Sequence, residues 1–133
     1  LASPAMGKVV VFKIGGKGVL ETDESFPPDP TPVADDFGSL AQIEHGKEVF
    51  FNNCIVCHGD SVQSGGIVTD LRWAPAPATK ETFAEVVIGG KYATAGMASF
   101  AKILSPEDVE SVRAYIINRA NEDASAAAAA APQ

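Results

Sequence analysis

The stretch that decides the fold is Cys54-Ile55-Val56-Cys57-His58, which contains both cysteines of the 133-residue chain. Two residues separate the thiols, so in a helical conformation the two side chains lie about one turn apart on the same side. His58 follows the second thiol directly and is carried along with it. Because no third cysteine is available, the pattern indicates one dedicated site and not a network of disulfides.

The C-x-x-C-H spacing is typical of covalent haem c attachment. Each thiol adds to a different vinyl group of the porphyrin, and the histidine becomes the proximal ligand of the iron. Three other interpretations of the motif compete with haem attachment: a thioredoxin-like redox pair, half of a zinc site that includes His45, and a structural disulfide. The first expects a preceding strand, the second a further cysteine pair, and the third closes a strained small ring. Haem attachment is therefore the favoured interpretation.

Met97 is the candidate for the sixth iron ligand. It is one of two methionines and lies in the small-residue segment Gly96-Met97-Ala98-Ser99, 39 residues after His58. A lone methionine in such a loop is a poor core filler. Ligation by histidine and methionine saturates the iron and raises its reduction potential, which suits electron transfer. The alternative is an open or water-ligated iron, as a haem-based ligand sensor needs.

Three helices are predicted, with Ser39, Thr79 and Ser105 as their N-caps. Pro106 and the acids that follow it are typical of a first helical turn. The long loop 59–78 between the first two helices indicates a segment that wraps around something. The sequence therefore predicts an all-α domain over residues 39–121, folded around one haem. The predicted helices cover residues 40–52, 80–88 and 106–120.

The segments on either side are expected to lie outside this domain. Residues 1–20 contain a β-branched and aromatic run at 9–14, which predicts a short β-strand without a clear partner in the chain. Residues 21–38 hold four prolines and six acids with no base, which is typical of an extended acidic linker. The alanine-rich segment 122–133 is expected to be a disordered tail.

The net charge of −7 and the absence of a Lys/Arg-rich run argue against nucleic acid or an anionic membrane as the main partner. No apolar run approaches the roughly 18 residues of a membrane span. Six of the acids lie in the linker at 21–38, so the net charge says little about any docking face of the domain.

The residues around the attachment motif resemble a class I cytochrome c. The spacing Gly46-x-x-x-Phe50-x-x-x-Cys54 before the motif and a C-terminal helix carrying Tyr115 contribute to this resemblance, together with Gly96-Met97. The resemblance implies that the first and last helices cross near Gly46 and Tyr115. The small Gly46 would then permit close approach of the two backbones.

Segment 54–72, CIVCHGDSVQSGGIVTDLR, is similar more narrowly to the C-terminal cytochrome c domain of quinohaemoprotein alcohol dehydrogenases. These enzymes carry pyrroloquinoline quinone (PQQ) and calcium on a β-propeller that is fused to the haem domain. The resemblance implies that residues 7–16 correspond to the last propeller strand and 21–38 to the interdomain linker. It also implies single-electron transfer from reduced PQQ to an external acceptor, a protein or a quinone pathway, in a bacterial periplasm. A free-standing, diffusible periplasmic cytochrome c is the alternative.

The resemblance also suggests roles for residues beyond the motif. Arg72 would bind a haem propionate and Trp73 would pack at the haem edge, the alternatives being a solvated surface arginine and a core tryptophan. Thr69 stands where these proteins often carry a proline, whose carbonyl is the expected acceptor for the ring N–H of the proximal histidine. Thr69 keeps that carbonyl, so His58 can still be oriented by it. No catalytic residue is expected in this chain, because substrate oxidation belongs to the quinone.

Overall fold

The structure is a computed structural model that describes residues 11, 13–19, 32–64 and 68–130. No residue in these ranges belongs to a β-strand, so the all-α prediction is confirmed for this part of the chain. Short 3₁₀ turns at Ala76–Ala78 and Ala93–Ala95 accompany the α-helices. The α-helices are α1 (Leu40–Asn53), α2 (Ile55–His58), α3 (Lys80–Val87) and α4 (Pro106–Ala130).

Helices α1 and α4 cross at Gly46. A Cβ atom at this position would overlap the backbone carbonyl of Ser111, so only glycine lets the two backbones approach this closely. One turn further along α1, the ring of Phe50 lies against that of Tyr115, with 5.5 Å between the ring centroids. The crossing expected near Gly46 and Tyr115 is therefore present.

The hydrophobic core lies beside this crossing and is formed by α1, α3, α4 and the loop that follows α2. Its buried members are Val49, Phe50, Val62, Phe83, Val87, Val109, Val112, Tyr115 and Ile116. Several partly exposed apolar side chains pack against this core cluster, among them two of the predicted site residues. This set includes Cys54, Ile55, Leu71, Met97, Phe100 and Leu104.

The three predicted N-caps are confirmed. The hydroxyls of Ser39, Thr79 and Ser105 each accept a hydrogen bond, at 3.1 to 3.2 Å, from the backbone N–H three residues later. Asp108 completes a capping box by accepting from the backbone N–H of Ser105 at 2.9 Å. Its other oxygen lies 2.8 Å from Nε2 of His45, which ties α1 to the start of α4. Hydrogen bonds from Ser105, and then from His45, lower the pKa of Asp108 to about 2.

Helix α4 is longer than the sequence predicted. It continues for 25 residues to Ala130, so the predicted end near Ala120 and the disordered tail over residues 122–130 are wrong. Alanine has the highest helix propensity of all residues, and an alanine run that follows an established helix extends it. Residues 131–133 lie outside the described residues. Neither α4 nor any other described helix combines the length and apolar character needed to cross a membrane.

The end of the predicted linker packs against α4. Nδ2 of Asn121 donates to the carbonyl of Ala34 at 3.0 Å, and the guanidinium of Arg113 lies 4.0 Å from the ring centroid of Phe37. A cation held over an aromatic face at this distance is a favourable contact. The compact domain therefore begins near residue 32 and not at residue 39.

The earlier part of the chain is described only in part. The predicted strand at 9–14 and the linker residues 21–31 lie largely outside the described residues, and both stay predictions. Within the described part, the backbone N–H of Gly16 donates to the carbonyl of Lys13 at 2.9 Å in a turn. Gly15 occupies the left-handed region in this turn, with φ 80°, which favours glycine.

Gly46→Ala should lower the free energy of unfolding by about 1–3 kcal/mol, because the added methyl group forces α1 and α4 apart. At an ordinary helix position the same change would stabilise by up to about 1 kcal/mol, so the sign of the effect is informative. Urea denaturation followed by circular dichroism measures it. Lys47→Ala, at the neighbouring exposed position, is the matched control and should stay within about 0.5 kcal/mol of the parent. Equal stability of both variants would contradict the close approach.

Candidate haem-binding site

The C-x-x-C-H motif forms a tight turn at the end of α1. The backbone N–H of Cys54 donates to the carbonyl of Phe50 at 2.8 Å, which prolongs the bonding of α1 by one residue. The N–H groups of Cys57 and His58 then both donate to the carbonyl of Cys54, at 3.2 and 3.0 Å. The motif therefore projects both thiols and the imidazole from one short turn.

The two cysteines are free thiols that differ in environment. Cys54 is partly buried and Cys57 is exposed. Burial, followed by the charge of Cys57, raises the pKa of Cys54 to about 11, so this group carries its proton at neutral pH. Thioether formation needs reduced sulfur: the sulfur bonds to one vinyl carbon and a hydrogen is added to the other. A pair of unlinked thiols on one turn fits this reaction.

The alternatives to haem attachment find no support in this geometry. The cysteine pair follows a helix and not a strand, unlike the thioredoxin-like arrangement, and it is not linked as a disulfide. Within residues 32–64 and 68–130, no three His, Cys, Asp or Glu side chains gather closely enough to hold a metal ion. His45, which was considered as a zinc ligand with His58, pairs with Asp108 instead.

His58 ends the short helix α2, and its ring nitrogen Nδ1 is buried. Burial lowers the pKa of His58, while the backbone of Thr69 and the charge of Asp70 act to raise it. The net effect favours the neutral imidazole, which is the form that binds metals. Nδ1 is buried and meets no acceptor at hydrogen-bond length among the described residues. The orienting role of the Thr69 carbonyl stays a prediction.

Met97 lies on the loop between the second 3₁₀ turn and α4. Its backbone N–H donates to the carbonyl of Tyr92 at 3.2 Å, and the N–H of Phe100 donates to Val87 of α3 at 2.8 Å. The partly buried Met97 side chain packs against the same core cluster as Cys54. The fold thus brings the predicted attachment site and the predicted sixth ligand to one apolar cluster, and ligation by Met97 stays a prediction.

Arg72 is buried and directed at carboxylates of its own chain. Its Nε and Nη2 donate to the two oxygens of Asp70 at 3.1 and 2.9 Å, and Nη1 donates to Asp123 at 3.2 Å. The guanidinium carbon also lies 5.0 Å from the ring centroid of Trp73. The alternative of a solvated surface arginine is therefore wrong. The propionate contact of Arg72 and the haem-edge packing of Trp73 stay predictions.

Sequence reasoning missed the two acidic partners of Arg72. The sequence singles out Asp70 only as part of a motif, and the predicted disordered tail includes Asp123. A local signal existed, because Asp123 follows Arg119 by four residues, the spacing of helical ion pairs. That pattern favours a helix at these positions and could have extended α4 past residue 120.

The family described as cytochrome c oxidase, cbb3-type, subunit III matches residues 41–116. The matched stretch runs from the start of α1 into α4 and contains the C-x-x-C-H turn and Met97. The chain belongs to this family. It is a cytochrome c domain, and the prediction of that fold is confirmed.

Its relatives include proteins named alcohol dehydrogenase (quinone) and quinohemoprotein alcohol dehydrogenase. The dehydrogenase subunit of alcohol dehydrogenase (quinone) from Gluconobacter oxydans (strain 621H) is 35% identical over 118 residues, which cover 86% of this chain and 15% of the relative. Quinohemoprotein alcohol dehydrogenase ADH IIB from Pseudomonas putida is 36% identical over 129 residues, which cover 94% of this chain and 18% of the relative. The chain thus spans less than a fifth of the length of these proteins.

A solved structure gives the same relationship. Quinohemoprotein alcohol dehydrogenase ADHIIG from Pseudomonas putida HK5 matches with a TM-score of 0.64 and 34% identity. The match covers 83% of this chain and 16% of that one. The cytochrome c domain therefore resembles a part of these enzymes, as the segment at 54–72 predicted.

Haem should remain bound to the denatured chain, because thioether bonds survive unfolding. Mass spectrometry of acid-denatured protein should show one haem per chain in the parent and in either single variant, Cys54→Ala or Cys57→Ala. The double variant should release its haem into acidified acetone. Val56→Ala, at the 94%-exposed position between the cysteines, is the control and should retain haem like the parent. Complete extraction of haem from the parent would contradict the covalent assignment.

Proposed function

We propose that this cytochrome c domain transfers single electrons through one haem c, which is bound by thioethers to Cys54 and Cys57. His58 and Met97 are the axial ligands in this proposal. The observation that carries it is the turn at the end of α1, which presents two reduced thiols and a largely neutral histidine with a buried Nδ1. The position of Met97 on the same core cluster as Cys54 supports the second axial ligand.

The chain's own residues account for electron transfer without a catalytic group. With His58 and Met97 as ligands, the iron would have no open position, which would favour electron exchange over oxygen chemistry. Val56, between the two cysteines, is 94% exposed. In this proposal a redox partner approaches the site from the side that carries Val56.

The electron donor in this proposal is reduced PQQ on a dehydrogenase domain of the same parent chain. PQQ and calcium would belong to that domain, the strand at 9–14 to the end of its propeller, and residues 21–38 to the linker. The support is the names of the relatives, which are alcohol dehydrogenase (quinone) and quinohemoprotein alcohol dehydrogenase. The external acceptor, a protein or a quinone, would take the electrons onward.

The runner-up is a free-standing, diffusible cytochrome c. The similarity to ADH IIB argues against it, because that similarity covers 94% of this chain. Residues 32–133 alone are too few to supply such coverage, so the similarity extends into the residues before the compact domain. A diffusible carrier gives no reason for that extension to match.

Both proposed functions imply a bacterial periplasmic location. Haem c is attached to reduced thiols after export in the bacterial systems that make it, and the two cysteines have no structural disulfide to compete with. The relatives named above come from bacteria.

Met97→Ala should remove the weak sulfur-to-iron absorption band of the oxidised protein in the far red. It should also lower the reduction potential and allow added imidazole to bind, because the sixth position becomes open. Visible spectroscopy and potentiometric titration measure these changes. Met6→Ala, at the only other methionine, is the matched control and should leave the spectrum unchanged. A parent-like spectrum in Met97→Ala would exclude this residue as ligand.

The donor is tested by comparing the isolated chain with the parent protein loaded with PQQ and calcium. Ascorbate should reduce the haem in both, while an alcohol should reduce it only in the parent, because substrate oxidation occurs on the quinone. Stopped-flow absorbance follows haem reduction directly. Reduction of PQQ by alcohol with a haem that stays oxidised would overturn the assignment of PQQ as the electron donor and leave the haem assignment intact.

A further inference from the structure

Residues 96–100, the methionine loop, are fastened to the end of α3 by two neighbouring hydrogen bonds. The backbone N–H of Phe100 donates to the carbonyl of Val87 at 2.8 Å, and the hydroxyl of Ser99 donates to the carbonyl of Ile88 at 2.5 Å. The last carbonyls of a helix have no partner within the helix and need one from elsewhere. The methionine loop supplies such partners at the end of α3.

The hydroxyl of Ser99 uses both of its hydrogen-bonding functions. It donates to Ile88, and it accepts from the backbone N–H of Ala101 at 3.3 Å. The approach of the methionine loop to the turn after α3 is close, because a Cβ atom at Gly90 would lie 3.2 Å from Cβ of Ser99. Gly90 has φ 68°, in the left-handed region that glycine adopts readily. The side chain of Ser99 therefore joins the methionine loop to the end of α3.

Met97 lies between two attachments of this loop. Its own backbone N–H donates to the carbonyl of Tyr92 at 3.2 Å, and Ser99 follows two residues later. Two residues span at most about 7 Å, so the backbone of Met97 stays close to α3 as long as Ser99 is held there. In this arrangement the Met97 side chain packs against the core cluster, as does Cys54 of the attachment motif.

We propose that Ser99 is a positioning residue for Met97. Its hydrogen bond to Ile88 keeps the methionine loop closed on α3, so that the sulfur of Met97 stays within reach of the iron. When Met97 leaves the iron, the loop lifts from α3 and this hydrogen bond is lost. The inference rests on the proposed function, since it concerns the predicted sixth ligand. It assigns to one exposed hydroxyl an influence on how often the sixth position of the iron opens.

The holoprotein carries the test, with imidazole as the probe. Imidazole binds the iron only after Met97 is displaced, so its apparent affinity reports the fraction of molecules whose sixth position is open. Visible absorbance of the oxidised protein during an imidazole titration measures this affinity, and loss of the sulfur-to-iron band in the far red follows the displacement. Urea denaturation of each holoprotein measures global stability alongside.

Ser99→Ala removes the hydroxyl, and Ser99→Thr retains it. Ser99 is exposed, so its truncation leaves no cavity in the core. Thr94→Val is the matched control, because it removes a hydroxyl from the second 3₁₀ turn, three residues before Met97. Among the described residues, that hydroxyl has no hydrogen-bond partner.

Ser99→Ala should tighten the apparent binding of imidazole about fivefold, because a side-chain hydrogen bond shifts an equilibrium by a factor of roughly 2 to 10. Ser99→Thr and Thr94→Val should stay within about twofold of the parent affinity, as exposed substitutions that break no hydrogen bond do. The urea measurement separates positioning from a purely structural role, which would lower stability and leave the imidazole affinity unchanged.

A parent-like imidazole affinity in Ser99→Ala would overturn the proposal, whether or not its stability in urea falls. Equal tightening in Ser99→Ala and Ser99→Thr would also overturn it, because the hydroxyl would then not be the cause. Failure of the proposed function looks different. The parent protein would then lack the sulfur-to-iron band, and the parent and Met97→Ala would bind imidazole equally well.

Discussion

The contact on which the rest of the domain depends is the backbone approach of α1 and α4 at Gly46. At Gly46 no side chain separates the two helices. One turn further along α1, the rings of Phe50 and Tyr115 pack in the space between them. This fixes the end of α1 relative to α4. Since Cys54 terminates α1, the crossing also decides where both thiols and His58 project.

Local signals carried most of what the sequence could predict. The C-x-x-C-H turn, the capping residues Ser39, Thr79 and Ser105, and the crossing at Gly46 depend on neighbours within a few residues or on a recognisable spacing. They were found where expected. The axial role of Met97 depends on which groups the fold brings together in space, and no spacing rule determines it.

The incorrect predictions concern segments whose conformation or environment depends on residues far away in the sequence. The alanines after residue 123 are compatible with a helix or with a frayed tail. They continue as helix because the preceding part of α4 is already held in place by its buried face. The environment of Arg72 depended on Asp123, 51 residues away. Residues 32–38 look like linker by composition, yet Asn121 and Arg113 bind them. The composition of a segment does not indicate which surface of the domain it packs against.

In the proposed parent chain, the attachment of residues 32–38 to α4 shortens the linker between the cytochrome c domain and the dehydrogenase domain. The stretch between residues 19 and 32 spans at most about 45 Å when fully extended. A group joined ahead of that stretch is confined to a sphere of this radius around the domain, which corresponds to an effective concentration on the order of millimolar. A docking contact far too weak to persist between separate molecules is then occupied most of the time. The surfaces that meet during electron transfer can therefore be selected for rapid separation instead of tight binding.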